Sequence, residues 1–243
     1  MKGGRTTVSL SDVSFLQKGK GKDLVFLHGY LSSKEAFAAS FAYFSRFYRV
    51  TAIDFLGFGG SSVLTSPFSV SDYAAWTKEV LAQLQIKNPH VIAHSFGCRV
   101  AVKLAAEDRA YFDKMLLTGP AGVILKRGVS YRCKVGTYRL VRRFFPRFAE
   151  RHFGSREYRS LSPVMKESYK KIVNEDLREC AKRIENEVLI VEGEADTVTP
   201  MREAEAYLAC LKKGRIKTLS GGHFAFAENP VLFNLIAEEF FYE

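Results

Sequence analysis

Cysteine is scarce in this chain. Four residues in 243, Cys98, Cys133, Cys180 and Cys210, show no repeated short spacing and no histidine at metal-ligand distance. That argues against a disulfide framework and against a structural zinc site, and leaves free thiols of a reducing compartment. Long apolar runs are also missing. The longest, "DLVFLHGYL" and "KMLLTGPAGVIL", fall well short of the roughly 20 residues that span a bilayer, so no transmembrane helix is expected. The start, "MKGGRTTVSLSDVSF", is basic but alternates polar and apolar residues, and so lacks the continuous core of a secretory signal. A cytoplasmic protein is expected. Internal repeats and low-complexity tracts are absent as well.

What remains is 47% hydrophobic, enough to bury one sizeable core with room for a decoration. The net charge is +10, and it is not spread evenly. Residues 123–184 hold 17 Lys and Arg against 6 Asp and Glu, an excess of +11, which leaves the rest of the chain at −1. That quarter is a different kind of object from its surroundings.

Outside it, strand and helix alternate. "TVSLSDVSFLQKGKGK" reads as two alternating strands, "DLVFLHG" as a buried strand and "KEAFAASFAYFSRF" as an aromatic-rich helix. "YRVTAIDFLGFGGSS" is a strand running into a glycine-rich turn. "SVSDYAAWTKEVLAQLQI" is a helix with Ser69 or Ser71 as N-cap. "HVIAHS", "GCRVAVKLAAED" and "KMLLTGPAG" continue the pattern. After the basic quarter it resumes with "EVLIVEGEADTVTP", "MREAEAYLACL", "RIKTLSGG" and "NPVLFNLIAEEFFYE". Buried strands separated by helices predict a mostly parallel α/β sheet covered on both faces, with function at the carboxyl ends of its strands.

"AHSFG" stands at one such end, between a strand and a helix, and nearly matches the nucleophile elbow G-x-S-x-G. Ala93 replaces the first glycine, while Gly97 is kept. A serine at a strand end is also a common helix N-cap, which is the alternative reading of Ser95. A nucleophilic serine needs a base, and the base needs an acid to fix its tautomer. Asp196 lies just past a later strand and His223 just past the last one, giving the order Ser, Asp, His that a strand-turn-helix elbow calls for.

The chain resembles the alpha/beta-hydrolase fold family over its whole length apart from the basic quarter. "VFLHGYLSS", "DFLGFGGS", "AHSFG", "EGEADTVTP" and "GGHFAFAENP" carry the resemblance, five motifs in the family's order. It implies an alpha/beta-hydrolase fold, core residues 1–122 and 185–243, and a helical cap over 123–184. It implies Ser95 as nucleophile, His223 as base and Asp196 as acid, with the backbone N–H groups of Tyr30 and Phe96 as oxyanion donors. His28 and Gly29 would shape the oxyanion loop, and His94 and Gly97 the elbow. Asp54 would anchor its glycine-rich turn, and Glu192 lies within its strand, which leaves Asp196 as the preferred acid. His90 falls at the far end of its strand, and His152 in the insertion. A dehalogenase would carry aspartate in place of Ser95.

In the basic quarter, "YRCKVGTYRLVRRFFPRF" repeats apolar residues at helical spacing beside six basic ones, and Pro146 should kink or end the helix. The stripe is read as the roof of the pocket. Second to it comes an anionic membrane surface met by residues 131–148, and third the steering of an anionic substrate. Nucleic acid ranks last, without a recognition motif. The expected activity is hydrolysis of a small-molecule carboxylic ester with an apolar acyl part, needing neither metal nor organic cofactor. The same residues would suit a thioesterase, an acyltransferase or a C–C hydrolase, and the rival class is a non-catalytic or membrane-surface binding protein on the same fold.

Overall fold

The computed structural model describes residues 8–125 and 156–243, with only the backbone described at 156 and 157. The basic helix expected over 131–148, Cys133 and His152 lie outside the described residues. Seven strands form one sheet among the described residues: β1 (Phe15–Lys18), β2 (Asp23–Leu27), β3 (Arg49–Ile53), β4 (His90–His94), β5 (Lys114–Thr118), β6 (Glu187–Gly193) and β7 (Gly214–Leu219). Their order is β1-β3-β2-β4-β5-β6-β7, with β1 antiparallel to β3 and every other pair parallel. All residues of β2 and β4 are buried, the signature of strands covered on both faces.

The helices among the described residues are α1 (Ala38–Phe44), α2 (Val70–Gln83), α3 (Phe96–Glu107), α4 (Arg156–Ser160), α5 (Pro163–Val173), α6 (Arg178–Ala181), α7 (Met201–Leu208), α8 (Ala225–Glu228) and α9 (Pro230–Tyr242). On α2, Ser69 and Asp72 form a reciprocal capping box, which decides between the two expected caps. The buried residues of α2, including Val70, Tyr73, Ala74, Thr77, Val80 and Leu81, recur at helical spacing and face one core layer together with α3. On the other face, Phe233, Ile236, Ala237 and Phe240 of α9 pack with Phe44 of α1. Ser40 donates to Asn234 Oδ1 at 2.6 Å between these two helices. No described helix is long and apolar enough to cross a membrane.

The N-terminal expectation needs correction. Residues 10–12 form a turn of 3-10 helix, closed by Asp12 N–H to Ser9 O at 3.0 Å and Val13 N–H to Leu10 O at 3.2 Å. Asp12 is then tied to Ser62 of the glycine-rich turn instead of to a strand partner. The expected "KEAFAASFAYFSRF" helix is likewise split, a 3-10 turn over Lys34–Phe37 preceding α1. Lys34 is held there by Asp54, which accepts its N–H at 2.7 Å and its ammonium at 2.7 Å.

Strand register gathers the carboxyl ends. Leu27 pairs with Ala93, His94 with Thr118, and Thr118 with Val191. The chain order reverses where β2 lies between β3 and β4, the place where α/β sheets open a crevice.

Candidate active site

The elbow is built by glycine and by strain. Ser95 has φ 49° and ψ −107°, a left-handed conformation that a non-glycine residue adopts only under constraint. Its N–H donates to Thr118 O at 3.1 Å, which fixes the turn against β5. Gly97 lets α3 start against β2, since a Cβ there would stand 2.2 Å from Leu27 O. The Ser95 side chain makes no capping hydrogen bond to α3, so the alternative reading as a helix cap is not what the geometry displays.

Asp196 and His223 meet across two strand ends. His223 Nδ1 lies 2.7 Å from Asp196 Oδ2, and the Asp196 side chain is fully buried. Asp196 Oδ1 accepts the N–H groups of Val198 at 2.7 Å and Thr199 at 3.0 Å. Burial pushes the Asp196 pKa up, but the hydrogen bond from His223 and these two N–H groups outweigh it and hold the carboxyl well below its usual range. Glu192, the rival acid, is fully buried. Burial, followed by the Asp196 charge, raises its pKa to about 8, and its carboxyl oxygens have no hydrogen-bond partner among the described residues. At neutral pH it is largely uncharged, which suits Asp196 as the anion facing the imidazole. The third acid, Asp54, anchors its turn as expected, accepting the Gly60 N–H at 2.8 Å and the buried Lys34 ammonium.

The other histidines divide by their surroundings. His28 is buried, donates from Nδ1 to Gly29 O at 2.7 Å and accepts the Phe55 N–H on Nε2 at 3.0 Å, and burial lowers its pKa to about 4. It ties the loop after β2 to the residues after β3. His94 is buried with Nε2 2.9 Å from His223 O, so that nitrogen carries the proton. Burial and then the neighbouring His223 lower its pKa to about 3. A Cβ on Gly29 would stand 2.7 Å from His94 Nδ1, which is why glycine is required at that point. His90 sits at the opposite end of β4, its ring stacked on Phe241 at 4.7 Å.

A cleft of about 480 Å³ opens over these groups, lined by Gly29, Tyr30, His94, Ser95, Phe96 and His223 from the strand ends. Its opposite wall includes Val123, Ile124 and, from α5, Tyr169, Ile172 and Val173. No hydrogen bond among the described residues uses the N–H of Tyr30 or Phe96. The Tyr30 hydroxyl reaches the Met165 carbonyl at 3.2 Å and joins the oxyanion-side loop to α5.

A family comparison decides what this frame is. Residues 24–234 match the sequence model of the alpha/beta hydrolase family. The chain belongs to that family. A probable 1-acylglycerol-3-phosphate O-acyltransferase of Oryza sativa subsp. japonica is 31% identical over 122 residues, 46% of this chain and 28% of that protein. A probable lysophospholipase, BODYGUARD 3 of Arabidopsis thaliana, is 32% identical over 105 residues, 41% of this chain and 21% of its own length. The aligned stretch thus spans about a quarter of these curated relatives. The esterase EaEST from Exiguobacterium antarcticum superimposes with a TM-score of 0.77 at 19% identity, covering 95% of this chain and 96% of that one, a likeness of fold.

In this alpha/beta hydrolase the sequence reading overlooked three contributors. Thr199 donates its hydroxyl to Asp196 Oδ2 at 3.0 Å and lies 3.1 Å from His223 Nδ1. Gly119, at φ 52°, leaves room for the pair, as a Cβ would come within 3.1 Å of His223 Nδ1. Arg99, one helical turn beyond Ser95, lines the cleft. The signals are slight: a threonine inside the acid loop, a glycine after β5, and a basic residue in the first turn of a mostly apolar helix.

Proposed function

We propose that the protein is a serine hydrolase that cleaves carboxylic esters through an acyl-enzyme on Ser95. The observation that carries this reading is the 2.7 Å contact between His223 and a buried Asp196 carboxylate, in the cleft that Ser95 also lines. Because Nδ1–H points to Asp196, Nε2 is left as the base. It takes the Ser95 proton as Oγ attacks the ester carbonyl, then gives that proton to the departing alcohol. Water attacks the acyl-serine by the same route in reverse, releasing the acid and restoring the hydroxyl. The N–H groups of Tyr30 and Phe96, both without a hydrogen-bond partner among the described residues, receive the oxyanion of each tetrahedral intermediate. Nucleophile, base, acid and oxyanion donors are all groups of this chain, and water supplies the second nucleophile.

The apolar wall of Val123, Ile124, Ile172 and Val173, all from the described part of residues 123–184, supports an acyl part of apolar character and a cap role for that stretch. The names of the two curated relatives, which concern acylated glycerol phosphates and lysophospholipids, support an ester of this kind. Exposed Leu31, Val198 and Phe224, beside or within the same loops, support approach to a lipid surface, as does the basic composition of 131–148.

The test is hydrolysis of p-nitrophenyl esters of two to twelve carbons by wild type and Ser95→Ala, with fluorophosphonate labelling of both and anionic vesicles present or absent. Labelling and turnover are expected in the wild type alone. Turnover that survives Ser95→Ala, or its absence from the wild type on every ester, would refute the assignment.

A further inference from the structure

Arg99 is 7% exposed, yet it lines the cleft. Its Nη1 donates to two carbonyls just at the end of α5, Ile172 O at 2.9 Å and Glu175 O at 2.8 Å. Those bonds cap the helix and fix the plane of the guanidinium. Its Nε–H and Nη2–H have no hydrogen-bond partner among the described residues, and no carboxylate there lies within ion-pairing distance. Glu175 is committed to Lys103 at 2.7 Å. Glu203 lines the same cleft and bears on Arg99 through its negative charge.

An enclosed cation whose outer edge is unmatched is costly, because desolvation is repaid only by a well-placed partner. The unmatched edge, Nε–H beside Nη2–H, is the fork that meets two oxygens of a carboxylate or phosphate side by side. Since Nη1 already anchors the plane, the fork meets an incoming anion with little ordering left to do. Arg99 lies in the first turn of α3, directly after the elbow, and it lines the same cleft as Ser95.

We propose that Arg99 forms an anion subsite in the cleft and that the substrate is an ester carrying a carboxylate or phosphate a few bonds from its reacting carbonyl. Its place in turnover rests on the ester-hydrolase reading; its capacity to hold an anion does not. The acyl chain lies along the apolar wall while the anionic end is drawn to Arg99, which fixes which carbonyl reaches Ser95.

Binding is measured first, without chemistry, by calorimetry and thermal shift with glycerol 3-phosphate, succinate and neutral glycerol, on wild type, Arg99→Gln and Glu203→Gln. At least one anion is expected to bind the wild type and glycerol not, with affinity about 10- to 100-fold weaker in Arg99→Gln. The tighter of the two anions names the head group. Glu203→Gln leaves Arg99 in place and is expected to bind the anion more tightly, so the proposal stays testable if loss of the α5 contacts unfolds Arg99→Gln. Anion binding of equal strength in wild type and Arg99→Gln, failure of both anions to bind, or weaker binding in Glu203→Gln would overturn the subsite. Competition by the bound anion against a neutral p-nitrophenyl ester then links it to turnover. Anion binding with no ester hydrolysis would sink the hydrolase reading and leave the subsite, and hydrolysis with no anion binding would do the converse.

Discussion

Asparagine at position 196 separates the tautomer from the rest of the site. Oδ1 of Asp196 accepts two backbone N–H groups, from Val198 at 2.7 Å and Thr199 at 3.0 Å. A carboxamide must therefore keep its oxygen in that place, since its NH2 there would face two donors at a cost of about 1–3 kcal/mol for each buried group left unmatched. The NH2 then takes the position of Oδ2, 2.7 Å from His223 Nδ1. Donor now meets donor unless the imidazole moves its proton to Nε2, and in that tautomer it cannot accept the Ser95 proton. The expected loss in kcat is about 10⁴-fold, or roughly 5 kcal/mol at 1.36 kcal/mol per decade. KM should move far less, because the acid does not touch the substrate. Steady-state hydrolysis of a short p-nitrophenyl ester, with thermal unfolding as the check on folding, reads the effect. A folded Asp196→Asn variant within tenfold of wild type would refute the reasoning and send the acid role elsewhere.

Three further expectations concern strain, buried charge and pH. Ser95→Gly should be about 1 kcal/mol more stable than Ser95→Ala, some 2–4 °C in Tm for a chain of this size, because glycine relieves the left-handed backbone; equal melting would argue that the turn stores no strain. Lys34→Met strands the Asp54 carboxylate in the core and should cost about 3–5 kcal/mol by urea unfolding, whereas a loss under 1 kcal/mol would mean that the N–H groups of Lys34 and Gly60 suffice. The Glu192 pKa is raised in the folded protein from 4.5 to about 8, so folding takes up a proton between those values. The associated stability is complete below about pH 4.5 and is lost as pH rises through 8. Wild type should therefore lose stability from pH 5 to 8 more steeply than Glu192→Gln, and parallel curves would contradict that account.

The alternation of strands and helices was legible because each buried strand is a short apolar run and each helix carries a cap or an apolar stripe, as Ser69 and the buried face of α2 illustrate. That Ser95, Asp196 and His223 come together was legible because order along the chain maps onto order of strand ends in a parallel sheet. What eluded the sequence depends on partners far away in the chain. His94 binds the carbonyl of His223, 129 positions later, and Arg99 binds carbonyls 73 and 76 positions later, contacts that no local pattern encodes. Near the N-terminus, alternation over Val8–Val13 imitates a strand, but Ser62 satisfies Asp12 where a strand neighbour would be needed.

The segment between β5 and β6 leaves and rejoins the sheet at one spot. The Leu177 N–H meets Gly122 O at 2.8 Å, the Ile124 N–H reaches Asp176 Oδ2 at 3.3 Å, and the flanking strands β5 and β6 are neighbours in the sheet. Met165, Ile172 and Leu177 of its described part are set in the core, but added length between the two ties costs little, since doubling a loop adds only about 0.6 kcal/mol of closure entropy. Length can therefore change between β5 and β6 while the strand ends that hold Ser95 and His223 stay where they are.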